Sequence, residues 1–511
     1  MTPHRDEPAI HTVAGTRVGY HRRALPIRVE QLPEATTRLL DAGYRLALVA
    51  GHDDGPQLRI VYLFLAGRPD RRVELSVTLD AEHPQLTSLA AISFPAGRFE
   101  RELVDLFGVE LIGHPMLRRL VKHHHWPADW HPMRNNPGPP PLLEDRGDPY
   151  PFVPVEGDGV YEIPVGPVHA GLIEPGHFRF WVVGETVLKL KARLWFTHKG
   201  VEKLFEGRTV TDGLALAERI SGDTTVGHAL AYCQAAEDAA GVTVAEETLL
   251  RRALLLEVER LHNHVTDIGA MCNDVGLGVI NAYTLRLREQ LLRLNARLTH
   301  HRLGRGGVIP GGATLYDLPT LTELDSVDRE IHELSDIALS NTVVNDRFSS
   351  TSVLDIDEAR GIGVLGYVAR ASGIDTDARR DHPTHTVNAD VHVPVFTDGD
   401  VMSRFRIRLV EIEASLALLR SLVAAATAGQ HAVDVEPTLT LTTSGVGIVE
   451  GWRGTIVHRI EVRDGVLHRV KVVDPSFFNW PALPVAMRDT IVPDFPLTNK
   501  SFNLSYAGND L

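Results

Sequence analysis

A chain of 511 residues, 43% apolar and 23% charged, is long enough for more than one domain and has the composition of a globular protein. Its net charge of −14 argues against nucleic-acid binding, which needs a basic face for phosphates. Cys233 and Cys272 are too few for a thiolate metal cage or a disulfide framework and read as small buried hydrophobes.

The first residues, MTPHRDEPAIHTVAG, lack the basic-then-apolar pattern of a signal segment, and no run approaches the eighteen or so apolar residues of a membrane span. A cytoplasmic chain with no membrane span of its own is expected. Residues 31–42 predict a helix, followed by extended runs at 44–50, 58–65 and 73–79. The Asp54-Gly55 turn makes the first two antiparallel. In RFERELVDLFGVELIGHPMLRRL, the charged residues Glu100, Arg101, Glu102 and Asp105 alternate with Leu103, Leu106 and Phe107, predicting a short helix that stops at Gly108. Its charged face is either solvated or a docking surface. His123, His124 and His125 are adjacent and cannot converge on one ion. Prolines from Pro137 to Pro154 mark an extended connector. The expected domains are therefore 1–133 and 160–511, with a linker over 134–159.

The second domain begins with extended runs at 178–183 and 187–194 about a Gly184-Glu185 turn. Helices follow at 247–271, 282–300, 321–339 and 403–426. In the first, Leu250, Leu254, Val258, Leu261, Val265 and Ile268 form the apolar stripe, while Glu257, Arg260 and His264 share another face. In so apolar a helix those charges are either structurally paired or a route for proton and redox coupling. Residues 364–383 read as an ordered polar loop. Strands are expected at 438–442 and 447–450, then a hairpin, 456–462 and 466–473, about Asp464-Gly465. The tail beyond Trp480 reads as irregular. The fold class is α+β: a small α/β domain, then a mainly helical domain with antiparallel hairpins.

Two resemblances follow from these segments. ERELVDLFGVELIGHP with Arg118-Arg119 resembles the signature of the 30-kDa peripheral-arm subunit of respiratory complex I, with Arg98 where a Trp is more usual. GPVHAGLIEPGHFRF, HKGVEKLFE, ERISGDTTVGHA, LLLEVERLHNH, RASGIDTDARRDHP, VEGWRGTIVHRI and the tail resemble NiFe-hydrogenase large subunits and the complex I 49-kDa subunit. The fused order is similar to large subunits of formate hydrogenlyase-type, energy-converting hydrogenases.

In an active hydrogenase of this kind two Cys-x-x-Cys pairs hold nickel and iron. The resemblance puts those four positions at Ser221, Thr224, Ser505 and Gly508, none of them a cysteine. No metal is expected here. A quinone headgroup, in the 49-kDa subunits, sits between a turn histidine and a tyrosine; the tyrosine position is Gly222 and the turn is Leu172-Ile173-Glu174-Pro175, with His169 and His177 as neighbours. Glu174 matches the glutamate that hydrogenases use to pass protons, a buried carboxylate of raised pKa being able to relay protons without a metal, and His228 and Arg453 match residues near the site. The resemblance implies an iron–sulfur small subunit of the complex I 20-kDa type and membrane ion-translocating subunits as partners, at the inner face of the cell membrane. It leaves three readings: electron transfer coupled to proton movement without a NiFe centre, quinone reduction in a rearranged pocket (the NADH-quinone oxidoreductase type), and a non-catalytic scaffold. No dinucleotide fingerprint or phosphate loop is present, so NADH chemistry belongs to another subunit.

Overall fold

Alternating apolar residues build the N-terminal sheet. The computed structural model describes residues 11–13, 16–18, 22–143, 150–171, 173–383, 391–436 and 442–511. Strands Arg45–Asp53, Gln57–Ala66 and Arg71–Asp80 form an antiparallel meander with Leu58, Ile60, Tyr62 and Phe64 fully buried. A fourth strand, Arg22–Pro26, absent from the sequence expectation, adds in parallel to the outer edge. Helix Leu32–Asp41 precedes the meander. The signature helix runs Phe94–Phe107 and ends on Gly108 at φ 74°, the left-handed cap expected.

The charged face of the signature helix is a docking surface rather than a solvated one. Arg98 stacks on Phe477 at 4.4 Å, and Glu102 accepts a hydrogen bond from Lys471. The Asp105 carboxylate accepts the backbone N–H groups of Leu120, Val121 and Lys122, and Phe99 lies 4.4 Å from the Phe477 ring. One hydrophobic cluster therefore runs from Leu63 and Phe99 to Phe478 and Trp480 across both parts of the chain. Residues 134–143 and 150–159 carry no helix or strand, as so much proline requires, and residues 144–149 of the expected linker lie outside the described residues.

Helix Glu246–Asp274, 29 residues long, is the axis of the second core. Helices Gly278–Thr299 and Val401–Ala425 pack beside it, and Leu321–Ser340 covers them. Helix Thr225–Ala240 is absent from the sequence expectation, because its alanine-rich sequence carries almost no amphipathic signal. It lies directly on strand Thr443–Gly451: a Cβ at Gly445 or Gly447 would run into the carbonyls of Ala235 and Ala231. This close approach holds the loop before the helix, residues 221–224, against the next turn of the sheet.

That sheet continues through hairpin Gly454–Arg463 and Val466–Val473, as expected. On its other side strand Thr16–Val18 pairs in parallel with Thr443 and Ser444, and Arg22 donates to the Ser444 carbonyl at 2.9 Å. The three-stranded sheet Val160–Val165, His177–Val183 and Thr186–Arg193 adds one strand to the pair expected. Residues 438–441 of an expected strand lie outside the described residues.

Two expectations need correction. Residues 364–383 hold two short helices, Gly366–Ala371 and Ala378–Asp381, and Arg370, Asp377 and Arg379 are buried, not solvated. The polar pattern marks ion pairing in the core. The tail likewise is not irregular: it forms helices Phe495–Phe502 and Tyr506–Asp510. Both helices are short and proline- or glycine-bearing, which hides them from periodicity.

Candidate functional site: a thiolate-free metal cradle

The two short stretches that carry the cysteine positions meet in space. Ser221 Oγ lies 2.8 Å from Ser505 Oγ, 284 positions away, and both side chains are buried. Ser505 caps the last helix by accepting from Gly508 N at 2.8 Å. Ser221 and Thr224 hydroxyls both donate to Asp223 Oδ1, at 2.9 and 3.0 Å.

Asp223 is the hub. Arg453 grips it bidentately at 2.7 and 2.6 Å, stacks on Trp452 at 3.9 Å and donates to the Asn503 carbonyl. Burial alone would raise the Asp223 carboxyl, but Arg453 and the two hydroxyls hold it well below the usual range. The guanidinium of Arg453 thus finds its carboxylate partner within the same chain.

Gly508 has a different neighbour. A Cβ there would sit 2.6 Å from Asp474 Cγ and 2.7 Å from Oδ2. The Asp474 carboxylate thus fills the space of the fourth ligand position. It accepts from His228 Nε2 at 3.1 Å and from Ser476 N at 2.7 Å, and His228 Nδ1 lies 3.0 Å from His458 Nε2. The Asp474, His228 and His458 side chains are all buried. Burial pushes the Asp474 carboxyl up, yet the His228 hydrogen bond and Arg453 hold it below its ordinary value. Burial and His228 push the His458 imidazole well down, so it is neutral. Its Nδ1 has no partner among the described residues.

This donor set does not fit nickel and iron. Three hydroxyls already hydrogen-bonded and a glycine backed by a carboxylate replace four soft, charged ligands.

A cavity of about 560 Å³ opens beside the cradle, lined by His169, Glu174, Ser221, Asp223, Arg453, Ser505 and Tyr506, with Asp274 and Lys500 farther round. Glu174 is exposed at this cavity, and Oε2 accepts Ala507 N at 2.9 Å. Leu172 of that turn lies outside the described residues. His169 lines the cavity with Nε2 engaged by the Gly176 carbonyl at 2.8 Å. His177 does not line it; it bonds the Gly166 carbonyl and packs on Phe152. The Tyr506 hydroxyl lacks a well-formed hydrogen bond, having only the Asn499 side chain beside it, and burial pushes it up to about 12.

Glu257, Arg260 and His264 form a separate buried cluster. Glu257 meets Arg260 at 3.1 Å, Arg379 at 3.2 Å and Ser415 at 2.6 Å, while His264 Nε2 lies 2.7 Å from Glu411. Arg370 joins Glu411 to Glu450 at 2.5 and 2.9 Å. The cluster reaches the cradle through Trp452, 6.0 Å from the His264 ring. Neither cysteine takes part; both are buried and free.

Sequence reasoning missed Asp223, Asp474, His458, Tyr506 and Glu259. Asp223 was visible inside the ERISGD stretch; the others carry no local signal. Glu259 accepts Val226 N and Gly227 N at 2.6 and 2.9 Å at the start of helix Thr225–Ala240, and burial raises its carboxyl to about 8, helped by Asp223.

A buried cradle of four ligand positions between a helical core and an N-terminal α/β domain defines a hydrogenase-large-subunit type of chain. Models of the respiratory-chain NADH dehydrogenase 49-kDa subunit, its 30-kDa subunit and nickel-dependent hydrogenase match residues 274–446, 25–138 and 199–268. Hydrogenase-4 component G of Escherichia coli is 30% identical, covering 86% of this chain and 78% of the relative. Formate hydrogenlyase subunit 5 of the same organism is 29% identical over 95% of this chain and 88% of its own length. An NADH-quinone oxidoreductase subunit of Bacteroides fragilis is 29% identical over 80% of this chain and 82% of its own length. A chain of the archaeal membrane-bound sulfane sulfur reductase shares the fold at TM-score 0.64 and 24% identity, covering 70% of this chain and 100% of that one. The chain belongs to the family that joins complex I 49-kDa subunits to nickel-dependent hydrogenase large subunits, with a 30-kDa-type domain at its N-terminal end.

Proposed function

We propose that this chain is a peripheral-arm subunit of a membrane-bound respiratory complex related to complex I and to hydrogenases, and that it couples electron transfer from an iron–sulfur partner to proton movement without a NiFe centre. Its relatives are named as subunits of such oxidoreductases. Among the described residues no helix is long and apolar enough to cross a membrane, so ion passage would belong to partner subunits.

The observation that carries this reading is that two hydrogen-bonded pairs, Asp223–Arg453 and Asp474–His228, stand where the family places four thiolates. With His228 Nε2–H on the carboxylate, Nδ1 accepts from His458 Nε2–H. A proton taken up at His458 Nδ1, the atom without a partner among the described residues, lets the His458 Nε2–H pass to His228 Nδ1 and the His228 Nε2–H pass to Asp474. Glu174 at the cavity offers the exchange point with water.

The test is the purified complex. Elemental analysis should find iron without nickel. Glu174→Gln should slow the ion flux that accompanies electron transfer, leaving the iron content unchanged. Nickel near one per complex, or unchanged flux, overturns the proposal.

A second reading, reduction of a quinone or similar organic acceptor, is favoured by Tyr506, which lines a cavity large enough for a ring and whose buried hydroxyl lacks a well-formed hydrogen bond among the described residues. Quinone-reductase activity with the reconstituted partners separates the two.

A further inference from the structure

Away from the cradle, a cavity of about 320 Å³ opens between the loop after the signature helix, Tyr150–Pro151 and the end of strand Thr186–Arg193. Arg118, Arg119, Lys122 and Arg193 line it, together with His123 and Tyr150, and no described carboxylate does.

These cations are held by neutral acceptors. Arg118 donates to the Pro151 carbonyl at 3.2 Å, and Arg119 to those of His123 and Trp126 at 3.1 and 2.9 Å. Lys122 donates to Ala128 and Trp130 at 2.9 and 3.1 Å, and Arg193 to Leu120 and Lys122. Carbonyls fix the directions of the side chains, and among the described residues no carboxylate lining the cavity cancels their charge. Asp105, a described carboxylate that acts on Lys122 and Arg193, is already occupied by three backbone N–H groups. Arg193 is 5% exposed, and its Nε has no hydrogen-bond partner among the described residues. Behind it, burial and the surrounding arginines push Lys191 down to about 8, and Arg193 itself falls to about 10, chiefly through burial.

We propose that this cavity binds a phosphate-type oxyanion, free or as the charged end of a small metabolite or lipid. A multivalent oxyanion matches several cations at once, and guanidinium forks suit its oxygens. The volume suits a small headgroup rather than a folded segment. An anion here relieves the mutual repulsion of the buried cations, so binding must stabilise the folded chain.

The experiment is calorimetric titration and thermal melting of the full-length chain with inorganic pyrophosphate at constant ionic strength. Phosphatidic acid vesicles, against phosphatidylcholine, form a parallel arm. Saturable binding should raise the melting temperature by about 2–5 °C at a hundredfold excess over Kd. Arg118→Gln, at the half-buried rim, should weaken binding about tenfold or more, while the distant, exposed Arg329→Gln should not. Tyr150→Phe serves as a second variant should Arg118→Gln alter the circular dichroism, with about a threefold weakening expected. Pyrophosphate binding sensitive to these changes supports a free ligand, and vesicle binding alone, equally sensitive, supports a lipid headgroup. The proposal is overturned if neither binds, if chloride gives the same shift, or if the variants leave binding unchanged. It stands or falls independently of the proton-coupling reading.

Discussion

The Asp474 carboxylate occupies the space that a side chain at position 508 would enter: a Cβ added to Gly508 meets Asp474 Cγ at 2.6 Å. The two positions are therefore coupled. Gly508→Ala should cost about 1–3 kcal/mol through overpacking, and clearly less in an Asp474→Ala background. Chemical denaturation of the four proteins measures this; additive effects would mean that the two residues do not share the space.

Restoring the cysteines alone should not restore the metal. Ser221→Cys, Thr224→Cys, Ser505→Cys and Gly508→Cys together leave Asp474 in the fourth position and Asp223 bound to Arg453. Purified with nickel in the growth medium, the quadruple variant is expected to contain well below one nickel per chain. Stoichiometric metal by elemental analysis would refute this.

Glu259 makes stability depend on pH. Its folded pKa, raised to about 8 by burial, lies above the unfolded value near 4.5, so the folded state holds an extra proton between the two. This contribution is full below about pH 4.5 and is lost as pH rises towards 8, at up to about 1.4 kcal/mol per unit. Glu259→Gln should remove that slope, making the pH 5–8 stability profile flatter than that of the parent. Identical profiles would show that Glu259 ionises normally.

Breaking the Arg453–Asp223 pair should be costly. Arg453 is buried and Asp223 half-exposed to the cavity, so Arg453→Gln should lose about 1–3 kcal/mol. Asp223→Asn, which leaves the guanidinium unpaired, should also slow proton-coupled electron transfer in the complex. A melting curve and a turnover assay on each variant measure the two effects.

Tyr506→Phe distinguishes the two functional readings. If an organic carbonyl accepts from Tyr506, this variant should raise the KM for a quinone several-fold with kcat nearly unchanged. Unaltered quinone kinetics would remove that second reading.

Much of the fold was legible because long periodic segments announce themselves. Glu246–Asp274 and the meander from Arg45 to Asp80 show the apolar spacing their burial requires. Helix Thr225–Ala240 did not, since it is alanine-rich and fourteen of its sixteen residues are buried, which leaves almost no amphipathic contrast. At the site, the resemblance singled out Ser221, Thr224, Ser505 and Gly508, and the Ser221 and Ser505 hydroxyls lie 2.8 Å apart. The residues beside the Gly508 position were invisible for a simple reason. Asp474 lies 34 positions from Gly508 and 246 from His228, and only folding puts them in contact. Glu174, singled out by the resemblance alone, is exposed and lines the cavity beside the cradle.

Strand Thr16–Val18 has a consequence for biogenesis. Its partner, Thr443–Ser444, is synthesised hundreds of residues later, after the whole N-terminal sheet and the helical core. Strand His11–Val13 can pair with Thr16–Val18 at once, but the parallel edge of Thr16–Val18 must wait for one of the last strands made, and pairing of such long sequence separation is slow. Cutting the chain at its proline-rich connector would not release two independent halves, because the leading segment is stitched into the trailing sheet. The fusion works as a clasp, with its hook made first and its eye made last.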